Sequence, residues 1–412
     1  MHGMNRRTPP LLLLIVCAAA RSAFPAELEY RELPYNLSVW PEDKARGNHR
    51  VIVSHINSKA VGVAVAVIPW RRRDLAPEKK LVKVVDSRDG KEIKNVLIVQ
   101  ATNEVGVIAF EPTIHPIEDY RNRGEYEIYY LPFDLPTGTW GGNWDIGYPR
   151  GSHMEQRPEP DPGWVKASHL TPDELAAGSW KQLERAEVLG FQANGAMHSF
   201  YPMEVIATRR EVGGLLAEHP SEAYFLFPED RTNPIRMFDY LPSKWIQDGP
   251  EHEFYGRPHP GEYYVFQVGV WAARKKIVGV EVEFPTLRCA GKPDLKPSSF
   301  TSINLSGTDW FGRPMDVDFS MARGKVRPIW MGVQIPEDAR GEYIGTCTVT
   351  PKGERPKSFT VTLDVAGKVL KDHGDGDLKR LSRLRWLNSA RGFDDEVIAP
   401  YTPLEISGAQ IS

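Results

Sequence analysis

Adjacent carboxylates occur at Glu229-Asp230 and at Asp394-Asp395-Glu396. Such a pair can cleave a glycosidic bond, one group acting as acid and the other as base or nucleophile. The first pair runs directly into Arg231, with Arg236 five residues further on. A guanidinium beside two carboxylates forms forked hydrogen bonds that fix a loop. Glu229, Asp230, Arg231 and Arg236 are therefore read as structural ion pairs, since neither acidic pair sits at the end of an obvious barrel strand. Asp372-His373-Gly374-Asp375-Gly376-Asp377 spaces carboxylates as a hard cation would want them. It lacks the full twelve-residue calcium loop, so a solvated turn is expected.

A second kind of chemistry is suggested by Gly138 to Tyr148, a glycine-rich stretch containing Trp140, Asn143, Trp144, Asp145 and Tyr148. Flat aromatic rings stack on the apolar face of a pyranose while Asn and Asp take its hydroxyls. These five residues are the candidate carbohydrate contacts. The competing reading is that the rings plug a seam between modules. No Gly-x-Ser-x-Gly elbow, P-loop, His-Glu-x-x-His or dinucleotide fingerprint occurs. The histidines are scattered singly, and Cys289 and Cys347 supply neither a metal cluster nor a disulfide framework. No catalytic residue, metal or cofactor is assigned.

The elements that must position these residues read as strands. The chain has 412 residues, enough for two or three domains, with 35 Gly and 34 Pro to punctuate short β segments. Runs at 50–56, 61–68, 81–85, 95–101, 105–110 and 125–131 are β-branched and separated by turn signals. Thr171, Pro172 and Glu174 open a helix with a capping box, its stripe at Trp180, Leu183 and Val188 and its stop at Gly190. Strand patterns return at 277–284, 325–335, 345–350 and 358–365. The expected fold is mainly β: two sandwich modules, immunoglobulin-like or jelly-roll-like, with a short helical connection. The expected division is a signal peptide at 1–26, a first sandwich at 27–133 and a connection at 134–260. A second sandwich at 261–367 and a C-terminal segment at 368–412, leading toward a further domain, complete it.

Composition narrows the partners. A net charge of −3 gives no basic face for nucleic acid. Arg6 and Arg7 followed by the apolar run Leu11 to Ala20 read as an export signal, too short to span a bilayer. No other run approaches a membrane helix, so the mature chain is expected to be exported.

Several runs carry a family resemblance. They are Phe227-Pro228-Glu229-Asp230-Arg231, Gly261-Glu262-Tyr263-Tyr264-Val265-Phe266-Gln267, Gly307-Thr308-Asp309-Trp310, Arg383-Leu384-Arg385-Trp386-Leu387-Asn388-Ser389 and Pro400-Tyr401-Thr402-Pro403-Leu404. Together they resemble the N-terminal region of glycoside hydrolase family 123, over most of the chain from about residue 30. The resemblance implies a secreted glycan-degrading system that removes β-linked N-acetylgalactosamine, using the substrate acetamido group as nucleophile. An Asp-Glu pair on a (β/α)₈ barrel assists in that family. This chain shows no strand-helix series for such a barrel, so no catalytic residue is carried over. The expected role is a non-catalytic β region that supports a downstream or separately encoded catalytic barrel and presents glycan. The alternative is a stand-alone exported carbohydrate-binding or structural β-sandwich protein.

Overall fold

The structure is a computed structural model. It describes residues 33–41, 46–56, 62–74, 77–79, 81–113, 123–130, 159–308, 313–377, 380, 397, 400–404, 406–407 and 410–411. The fold is mainly β. The first module contains β1 (Tyr35–Ser38), β2 (His49–Ile56), β3 (Ala64–Ile68), β4 (Lys83–Asp86), β5 (Val96–Ala101), β6 (Gly106–Phe110), β7 (Arg123–Tyr129) and β8 (Arg185–Asn194). Their order is β4-β7-β2-β8-β3-β6-β5, with β1 beside β8. The alternation of β-branched residues buries one face of each strand. Val51, Val53, Val84 and Ile128 from one half of the sheet thus meet Ala66, Ile68, Ile108 and Phe110 from the other.

The far face of β3 and β6 is covered by two short helices, α1 (Pro162–Ala167) and α2 (Pro172–Ala176), and a 3₁₀ turn at Ser179–Gln182. Trp164, Leu170 and Trp180 lie there on Val65, Val107 and Ala109. The expected capping box is present, since Glu174 accepts from both the Thr171 amide and its hydroxyl. The helix does not run on to Gly190, however. Gly178 adopts a left-handed φ of 79°, which ends it. Val188 and Gly190 belong to β8, because that apolar run completes the ladder with β2.

The second module contains β9 (Phe225–Asp230), β10 (Phe254–Gly256), β11 (Tyr263–Trp271), β12 (Ile277–Val278), β13 (Val280–Glu283), β14 (Phe300–Ser302), β15 (Ser306–Thr308), β16 (Pro314–Asp316), β17 (Ser320–Met321), β18 (Val326–Gln334), β19 (Gly341–Pro351) and β20 (Lys357–Val365). The sheets β14-β18-β11-β9 and β10-β20-β19-β13 pack face to face. Phe266, Val268, Ile329 and Met331 meet Tyr343, Cys347, Phe359 and Val361 in the core between them. The alternating run at 277–284 is not one strand. Gly279, at φ 60°, splits it, so that β12 pairs with β17 and β13 with β19. Residues 185–194 and 225–230, expected in the connection, are strands of the two modules.

β9 and β11 are buried on both faces. One face looks into the sandwich. The other carries Phe225, Phe227 and Trp271 and is covered by α3 (Arg209–Glu218) and α4 (Ser243–Asp248). Trp245 of α4 is fully buried and stacks flat on Phe227, with ring centroids 4.6 Å apart. Gly269 makes room for it: a Cβ there would lie 2.3 Å from the indole. After β20 the chain folds back, Leu370 donating to the Pro260 carbonyl and Tyr263 to that of His373. Asp372 accepts from the amides of Gly374 and Gly376, which makes that stretch a turn. A small hairpin joins β21 (Ile406–Ser407) and β22 (Gln410–Ile411). Cys289 and Cys347 are free thiols, and burial pushes Cys347 up to about 12. The expected signal at 1–26 lies outside the described residues.

Trp245→Ala should lower unfolding stability by about 3–5 kcal/mol, the usual loss for a large core ring. Trp245→Phe, which keeps a ring on Phe227, should cost about 1–2 kcal/mol through the lost indole donor. Urea denaturation distinguishes them, and equal losses would place the energy in the N–H rather than the stack.

Candidate functional site

Trp140, Asn143, Trp144, Asp145 and Tyr148 lie outside the described residues, as do Asp394, Asp395 and Glu396. Glu229, Asp230, Arg231 and Arg236 are described, at the end of β9 and in the loop beyond it. Successive strand residues point to opposite faces, so Glu229 and Asp230 diverge. Glu229 faces the helices and accepts from Lys244 Nζ at 2.9 Å, Asn233 Nδ2 at 2.9 Å and Trp245 Nε1 at 3.2 Å. Asp230 faces the sandwich and takes a short hydrogen bond from the Tyr264 hydroxyl. Burial, reinforced by the Asp230 charge, raises the Tyr264 phenol well above its ordinary range.

Arg231 pairs with neither of its neighbouring acids. It donates to Glu262 Oε1 at 2.5 Å and lies 4.7 Å from the centroid of the Tyr264 ring. Glu262 is 0% exposed, and its other oxygen accepts from the His259 amide at 2.7 Å. Gln267, equally buried, accepts from the Ile235 amide and donates to the carbonyls of Asp230 and Asn233. Arg236 lies 4.0 Å over the Phe200 ring, and its carbonyl accepts from Arg73. The loop is thus held by side chains from β11 and α4. Arg380 continues the network, with Nε 3.8 Å from Glu262 and Nη2 3.2 Å from His259 Nε2.

A second cluster went unmarked in the sequence. Arg71-Arg72-Arg73 follow β3 and cross from the first module to the helical layer. Arg71 is only 5% exposed. Its guanidinium forks onto Glu211 Oε1 and Oε2, each at 3.0 Å, and donates to Ser243 Oγ at 2.9 Å. Glu211 also closes the capping box of α3 with Thr208. Glu204, 4% exposed, receives Arg73 at 2.9 Å and Arg72 at 3.6 Å. Tyr35 stacks on Tyr201 at 4.6 Å nearby. The available signal was a run of three arginines directly after a buried strand and Pro69-Trp70. Its acids lie 131 and 140 residues away, beyond any local spacing rule.

Chemically, both clusters position rather than react. Each of the buried acids Glu204, Glu229 and Glu262 is held by cations or N–H donors, and Glu229 and Asp230 cannot face one substrate. No group of three or more His, Cys, Asp or Glu side chains placed to hold a metal occurs among the described residues.

With that geometry in place, residues 38–194 match the N-terminal domain of glycoside hydrolase 123. The match ends on the last residue of β8. None of the runs that carried the resemblance in the sequence falls inside it; the first module carries it instead. No curated protein matches the chain. Among solved structures, a family 123 glycoside hydrolase from Clostridium perfringens shares 14% identity over 36% of this chain, with a TM-score of 0.27. This chain spans 28% of the length of that protein. The Yersinia enterocolitica fimbrial subunit MyfA shares 12% identity over 28% of this chain and 96% of its own, with a TM-score of 0.21. The PapD-like domain 7 of human CEP192 shares 10% over 28% of this chain and 81% of its own, with a TM-score of 0.18.

Arg71→Met should destabilise the chain by about 1–3 kcal/mol, because it removes a charged, buried donor from Glu211 and Ser243. Lys91→Ala, which removes an exposed ion pair with Asp89, should leave the urea midpoint unchanged. Equal effects would mean that the buried fork contributes no more than a surface pair.

Proposed function

We propose that this chain is the non-catalytic β region of an exported glycoside hydrolase acting on N-acetylgalactosamine-containing glycans. It supports a catalytic barrel, encoded downstream or separately, and presents glycan through Trp140, Asn143, Trp144, Asp145 and Tyr148. The observation that carries this reading is the match of residues 38–194 to an N-terminal domain of that family, ending where the first sheet closes at Asn194. Such a domain implies a catalytic partner.

Two physical features support the division of labour. A (β/α)₈ barrel needs eight parallel strands, each followed by a helix. Among the described residues, parallel pairing is confined to β1 with β8, β3 with β8 and β10 with β20. The buried acids Glu204, Glu229 and Glu262 are also committed to structural donors, so the acid and the acetamido-orienting group would come from the partner. A partner has an apolar surface to pack on, since Leu37, Val39 and Met197 are 55%, 88% and 83% exposed. Export is supported by Arg6 and Arg7 ahead of the apolar run Leu11 to Ala20. No described helix is long and apolar enough to cross a membrane.

The purified chain should not turn over an aryl N-acetyl-β-galactosaminide, and activity should appear when a catalytic barrel from the same locus is added. Turnover by the chain alone, abolished by Glu229→Gln, would overturn the assignment. N-acetylgalactosaminyl oligosaccharide should quench tryptophan fluorescence, and the quench should vanish in Trp140→Ala and Trp144→Ala. Glycan binding with no effect on any barrel would favour the stand-alone carbohydrate-binding protein.

A further inference from the structure

β8 changes partners at one corner of the first module. It runs antiparallel to β2 as far as Ser54, which faces Glu187. It then lies parallel to β3, with Arg185 facing Val65 and the Val65 amide donating to the Glu184 carbonyl at 2.8 Å. The sheet folds over here, so the two halves that enclose the core are joined through these few residues. The ladder is already irregular on β2, where the register shifts between Ile52 and Val53.

His55 sits at this corner and is 2% exposed. Its Nε2 lies 3.2 Å from Glu184 Oε2. An ionised carboxylate only accepts, so Nε2 carries the ring proton and Nδ1 is a bare lone pair. Nδ1 is buried and has no hydrogen-bond partner among the described residues. A second proton would have to enter at Nδ1, where no acceptor awaits it. Among the described residues, β7 places Gly124 opposite His55 and Glu125 opposite Ser54, and β8 places Glu187 opposite Ser54. Glu184 is the charged group that acts on the imidazole.

We propose that His55 and Glu184 form an acid-sensitive staple at the corner where β8 passes from β2 to β3. The neutral imidazole holds the corner, and proton uptake at Nδ1 opens it. The first module then loosens in mild acid. Burial lowers the His55 imidazole below its ordinary value, and the Glu184 contact offsets this in part. A depressed base binds fewer protons folded than unfolded. The contribution is therefore complete above the unfolded value of about 6.5 and is lost as pH falls from there toward the folded value.

The test is urea unfolding of the full chain between about pH 8 and about pH 5.5, for the wild type and for His55→Gln. The Gln amide stands where Nε2–H stood and still donates to Glu184, but it does not titrate. Below about pH 6.5 the wild-type folding constant should fall by up to about tenfold per pH unit more than that of His55→Gln. Parallel pH profiles would overturn the proposal. Should His55→Gln not fold, ¹³C-histidine NMR of the folded wild type decides. The His55 ring should reach half-protonation below about pH 6.5, and half-protonation at or above that value would overturn the staple.

Discussion

A guanidinium cannot be buried without partners for its charge and its N–H groups, and the arrangement of this chain follows from where Arg71 finds them. They lie on Glu211 of α3 and Ser243 of α4. The loop that delivers Arg71 is itself fixed. Trp70 donates its indole N–H to the Thr102 carbonyl at 2.6 Å, and Asn103 donates to the carbonyls of Arg72 and Asp74. Arg71 adopts a φ of 45°, unusual for a side chain of its size, and its own carbonyl takes the Ile206 amide. The first module thereby fixes the two helices that cover β9 and β11. Those strands, buried on both faces, transmit the order to the second sandwich.

That chain of dependence extends to the buried acids around the loop after β9. Glu229 lies where β9 meets α4, and removing it would strand the Trp245 indole and leave Lys244 with Asp248 alone. Glu262 lies where the Arg231 loop meets β11 and the returning C-terminal segment. The buried charges of Glu204, Glu229 and Glu262 thus fix the geometry of the seam and of the loop after β9.

Much of the fold was legible because strand patterns are local. β2, β3, β5, β6, β18, β19 and β20 fall close to the runs of β-branched residues that announced them. The helix expected through Gly190 failed because a sound cap at Thr171 says where a helix starts, while Gly178 decides where it stops. The run at 277–284 kept its alternation but was cut by a left-handed glycine. The seam was invisible for a different reason: Arg71 and Glu211 are brought together only by the tertiary fold. The family likeness was read from residues at and beyond 227, whereas the match lies in 38–194, where β-branched alternation looks much the same in unrelated sandwiches.

The arginine seam ties the two modules into one cooperative unit. Differential scanning calorimetry of the full chain tests it most directly. A single transition is expected, with calorimetric and van't Hoff enthalpies that agree, splitting into two when Arg71 and Glu204 are both neutralised. Two separate transitions in the unaltered chain would contradict it.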